Sequence, residues 1–62
     1  MYKYACVTKS ESGDDYVYLI SSKSDLSYEK IEKWVNKNGN DPGYEEIVSI
    51  IDVLQEEFII IK

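Results

Sequence analysis

Arginine and histidine are both missing from this chain of 62 residues, which has one cysteine, one proline and three glycines. Each scarcity removes a class of function. Nucleic-acid readers use arginine for two-point contacts to guanine and phosphate, and a basic surface for the salt-dependent share of their affinity. Here twelve acidic residues stand against seven lysines, for a net charge of -5. Direct nucleic-acid binding is therefore not expected. Without histidine the chain lacks the usual general base near neutral pH and the commonest metal ligand. A single cysteine, Cys6, closes no intramolecular disulfide and completes no zinc site without histidine. The longest apolar stretch near the C terminus, residues 58–61, falls far short of the roughly 20 residues that span a membrane. The opening residues lack the apolar segment and small-residue cleavage pattern of a secretion signal. A small chain that does not lean on disulfides fits a reducing compartment, so the expected location is the cytoplasm.

What is present is a globular balance, 44% apolar and 31% charged. A chain of this size is one domain, residues 1–62. Surface scaling gives about 4,100 Å² exposed when folded, against about 10,400 Å² unfolded. Only about 60% of the surface is then hidden, so the core is thin and a partner or a second copy would help it.

Residues 2–8 (YKYACVT) and 16–21 (YVYLIS) are rich in strand formers and flank the turn-forming segment 9–15 (KSESGDD). They predict a hairpin with a loop longer than two residues. Parity assigns its faces: Tyr2, Tyr4, Cys6, Tyr16, Tyr18 and Ile20 on one side, Ala5, Val7, Val17 and Leu19 on the other. Neither face is polar throughout. Residues 24–38 predict a helix, with Ser27 as N-cap, Leu26 placed to staple onto Ile31, and Glu29 near the positive end of the dipole. Its apolar stripe is Ile31, Trp34 and Val35, and Gly39 is a C-terminal residue suited to left-handed geometry.

Residues 44–54 (YEEIVSIIDVL) are ambiguous. Tyr44, Ile47, Val48, Ile51, Leu54 and Phe58 recur at helical spacing, with Asp41 and Pro42 as N-cap and first helical residue. Against that, Ile47, Val48, Ile50, Ile51 and Val53 are all β-branched and favour a pleated surface. The preferred reading is a strand over 47–51, a turn over 52–57 and a strand over 58–61, the last buried on both faces or central in its sheet. The expected fold is α+β: a two-layer β-β-α-β-β domain with one helix on an antiparallel or mixed sheet. The alternative is β-β-α-α-β, with residues 42–56 helical.

One helix covers one face of such a sheet, and a tyrosine-lined second face would need another layer. Six tyrosines in so short a chain are read first as cross-strand packing and second as an exposed protein-binding face. Stacking on single-stranded nucleic acid would need basic neighbours that are lacking here. The carboxylates form three clusters, Glu11/Asp14/Asp15, Asp41/Glu45/Glu46 and Asp52/Glu56/Glu57. These solvate loops or, if joined, steer a basic partner. Paired carboxylates for hydrolysis would need a cleft for which the chain has little room. The asparagine-rich segment 36–41 has Gly39 out of phase for a calcium loop. No phosphate-cradling glycine pattern occurs, and nothing near Cys6 in sequence would activate its thiol.

The expectation is thus a small acidic protein-binding module without catalysis, cofactor, metal or small-molecule substrate, a regulator or inhibitor of a basic partner protein. Its interaction residues are expected among Tyr2, Tyr4, Tyr16, Tyr18, Asp14, Asp15, Glu56 and Glu57. The alternatives are a homo-oligomeric structural protein and, much less favoured, an enzyme.

Overall fold

The computed structural model describes residues 1–61, apart from the side chains of residues 57, 58, 60 and 61. The chain runs β1 (Tyr2–Ser10), β2 (Asp15–Ser22), α1 (Tyr28–Asn38), β3 (Glu45–Asp52) and β4 (Glu57–Ile61). It is an α+β structure in which all strand pairs are antiparallel, in the spatial order β2-β1-β3-β4. The folded chain exposes 4340 Å², close to what scaling predicts for its mass.

The hairpin obeys the parity argument: Tyr4 pairs with Ile20, Cys6 with Tyr18, Ala5 with Leu19 and Val7 with Val17. α1 starts where Ser27 caps it by accepting a hydrogen bond from the Lys30 amide at 3.3 Å. The helix lays Ile31 and Val35 against Tyr4, Cys6, Ile47 and Ile50, with Leu26, Tyr18, Ile20 and Tyr28 packed around that cluster. Each aliphatic side chain so buried contributes about 1.5–3 kcal/mol. Trp34 shares the predicted stripe yet sits at its margin, 40% exposed, its ring edge-on to Tyr18 at 5.6 Å.

The alternative reading falls, and two sequence expectations are corrected. Residues 42–56 are not helical. Asp41, Pro42, Gly43 and Tyr44 form a turn closed by the Tyr44 amide donating to the Asp41 carbonyl at 2.9 Å, with Gly43 at φ 82. Proline followed by a glycine at positive φ is a type II turn, and it feeds directly into β3. Gly39 is not left-handed either: its φ of -64 and ψ of 172 are extended. What it supplies is room, since a Cβ there would clash with the Glu45 carboxylate and lie 2.6 Å from the Val35 carbonyl oxygen. Finally, β4 is an edge strand, paired with β3 alone; β1 and β3 hold the centre.

β3 carries a bulge. Val7 pairs with Ser49 but Thr8 pairs with Ile47, which leaves Val48 as the extra residue. Ile47 and Ile50, three apart, consequently both face the helix and are buried.

Candidate functional site

The helix packs on the tyrosine face, and among the described residues no element covers the other face of the sheet. The tyrosines differ in where this places them. Tyr4 is 1% exposed, inside the core and not on the surface expected of it. Its hydroxyl donates to Asp25 Oδ1 at 2.6 Å and accepts from the Leu26 amide at 2.9 Å. Burial, then the bond to Asp25, raises its pKa above the ordinary 10.0. Tyr18 is half-buried, donates to Glu45 Oε1 at 2.6 Å and accepts from the Asn40 amide at 2.8 Å. The two phenols therefore fix the segments that enter and leave α1. Tyr16 is half-buried and Tyr2 lies exposed at the strand start. Tyr4 and Tyr18 are struts of the helix layer.

Glu45 is the polar centre of that layer. Its Oε1 accepts from the Thr8 and Tyr18 hydroxyls, and its Oε2 from the Asp41 amide at 3.0 Å. Partial burial opposes its ionisation, but the three donated hydrogen bonds outweigh that and hold its pKa below the ordinary 4.5. Thr8 is completely buried, so Glu45 is what satisfies its hydroxyl. Among the described residues no buried side-chain polar atom lacks a hydrogen-bond partner.

The structure also decides how the acidic clusters lie. Tyr16 has its pKa raised first by loss of solvent and then by the charges of Asp14, Asp41 and Glu45. The Glu11 amide donates to the Tyr44 carbonyl at 3.0 Å, which ties the hairpin tip to the loop before β3. Two clusters thus converge at one end of the sheet. The third stays apart: Asp52 pairs with Tyr4, while Glu46 pairs with Lys9 five residues along β1, about 17 Å away. There Asp52 Oδ1 accepts from the Leu54 and Gln55 amides at 3.1 Å each. Glu56 is exposed at φ 56 in the same turn, and the Glu57 side chain lies outside the described residues. Asp14 and Asp15 are exposed at the hairpin tip.

Cys6 is fully buried and its thiol is pushed up to about 11, by burial first and then by the Glu45 charge. It is a core side chain with no thiolate at neutral pH. Among the described residues there is no group of three or more acidic or cysteine side chains positioned to hold a metal ion. No helix there is long and apolar enough to cross a membrane.

The residues that parity reasoning left without a role form the bare face. Val17 is 64% and Leu19 82% exposed on β2. Ala5 and Val7 pair with them on β1, and Ile51 and Ser49 pair with Ala5 and Val7 on β3. Val53 extends the row, its amide donating to the Lys3 carbonyl at 2.9 Å. Lys3 stands at one end of this face; Lys9, between Asp15 and Glu46 in register, stands at the other. The sequence signal for this surface was the run Ala5, Val7, Val17, Leu19, which lacks the polar residues a solvated sheet face normally carries. No protein-family model, curated protein or solved structure matches the chain.

Proposed function

We propose that this chain is a small, acidic, cytoplasmic protein-binding module without catalytic activity, and that its working surface is the bare sheet face. The observation that carries this reading is the exposure of Leu19 and Val17 beside Ala5, Val7 and Ile51, on a sheet whose other face packs against the helix. In that reading the two-layer β-β-α-β-β domain is a one-sided platform. The layer of tyrosines, Glu45 and helix keeps the sheet rigid, and the opposite face gives apolar area with lysines and carboxylates only at its ends. Contiguous apolar patches are sparse on monomeric proteins and mark interaction surfaces.

The test is affinity capture from host lysate with the parent chain and with Leu19→Glu, at about 50 and about 500 mM salt, since apolar contacts survive the screening that removes charge steering. Partners held at both salts by the parent and lost by Leu19→Glu are the expected result. Leu19 is exposed, so the variant keeps the fold. Partners held equally by both chains would overturn the assignment of this face. A second reading is favoured by the gathering of Asp14, Asp41 and Glu45 at one end: docking there on a basic regulatory target, which predicts capture at low salt only.

A further inference from the structure

Deepening the reading of the chain as a protein-binding module, and resting on it, the partner of the sheet can be specified from its edge. β2 is an edge strand of eight residues, paired with β1 in unbroken register from Asp15 to Ser22. From Tyr16 to Ser22 it holds no charge and no proline. Natural edges are blunted by lysine, proline, bulges, shortness or a covering segment, because unpaired strand amides and carbonyls otherwise recruit another strand. β2 shows none of the first four. The opposite edge, β4, has five residues and sits beside a register shift between Ile50 and Ile51.

The charges of β2 lie only at its ends, Asp15 as its first residue and Lys23 just past its last. We infer that β2 pairs antiparallel with β2 of a second copy, about a two-fold axis through Leu19 and perpendicular to the sheet, with Asp15 of each copy beside Lys23 of the other. Directly opposed residues in an antiparallel pair share a face, so the axis must pass through a residue pair of one parity. An axis at Ile20 would set Asp15 against Asp25, and one at Tyr18 would set it against Ser21. Only the axis at Leu19 opposes unlike charges at both ends of the strand. It also sets the most exposed large hydrophobe of the chain, Leu19 at 82%, against its own copy, with Val17 of each copy on the adjacent diagonal. The interface is isologous, as closed dimers require, and both helices lie on the same side.

Sedimentation velocity of the full chain from about 5 to about 500 µM tests this, because self-association makes the mass depend on concentration. The expected mass climbs from 7.2 kDa towards twice that value. Lys23→Asp alone creates two like-charge pairs per dimer and raises the dissociation constant about tenfold, while adding Asp15→Lys restores unlike pairs and recovers affinity. A mass of one chain at every concentration overturns the self-pairing, as does a double variant no tighter than Lys23→Asp. Neither result touches the wider protein-binding reading, which falls only if Leu19→Glu leaves captured partners unchanged. A monomer whose captured partner depends on Leu19 would assign the edge and face to a heterologous protein.

Discussion

Gly39→Ala lowers the melting temperature by about 10 °C, the equivalent of about 2 kcal/mol in a domain of this size. Two effects compete at this position and have opposite signs. The φ of -64 and ψ of 172 are open to any residue, so by backbone entropy alone alanine would stabilise the fold by about 0.4–1 kcal/mol. Packing opposes it, because the new methyl meets the Glu45 carboxylate and stands 2.6 Å from the Val35 carbonyl oxygen and 3.1 Å from the Tyr18 hydroxyl. A carboxylate can swing aside, but a carbonyl of the last helical turn cannot. Packing therefore decides the sign. Core supply in so small a domain rarely exceeds about 3–5 kcal/mol, so the loss is a large share of the total. Thermal unfolding followed by circular dichroism measures it, and a higher melting temperature would show that the close approach at Gly39 is wrong. Gly39→Ala combined with Glu45→Ala should cost less than the sum of the two, since one of the clashing groups is gone.

Glu45→Ala alone is expected to cost about 2–3 kcal/mol, because it leaves the buried Thr8 hydroxyl without its acceptor and takes one partner from the Tyr18 hydroxyl and the Asp41 amide. The same group sets an acid limit. Its folded-state pKa lies below the ordinary 4.5, so the stability it contributes is fully present above that value and is lost as the pH falls through the depressed one. Denaturant titrations from about pH 7 down to about pH 2 should show a steeper acid loss in the parent than in Glu45→Ala or Glu45→Gln. Equal pH slopes in parent and variants would remove Glu45 from that role. Glu45→Gln is intermediate in cost: its oxygen can still accept from Thr8 and Tyr18, while its amide nitrogen opposes the Asp41 N–H, donor against donor.

Local chemistry made much of this legible in the sequence. Ser27 and the Ile31/Val35 spacing located α1, and alternation in residues 2–8 and 16–21 assigned both hairpin faces correctly. Alternation cannot say which of two apolar faces a helix will cover. The deciding detail was that the face of Tyr4 and Cys6 continues through Thr8 and Ser10, both buried, whose hydroxyls are satisfied by Glu45 and Ser12. The ambiguity of residues 44–54 also has a physical source. A bulge inserts Val48, so the core residues Ile47 and Ile50 fall three apart, which imitates a helix. The Pro42-Gly43 turn was the available signal against that. For the candidate site, the exposed carboxylates were named from sequence, but Tyr4 was assigned to a surface it does not reach. The convergence of two acidic clusters around Tyr16 depends on long-range pairing of β1 with β3, which no local pattern encodes.

The phenols of Tyr4 and Tyr18 reach out of the sheet to the backbone amides of Leu26 and Asn40, residues outside any regular element. Loops that flank a helix ordinarily open on their own, and their amides exchange with solvent long before the core yields. Here each flank is held by a side chain rooted in the sheet, so neither end of α1 can fray without disturbing a strand. Amide exchange is accordingly expected to be slow past the helix and strands, at Leu26 and Asn40 in these two connections.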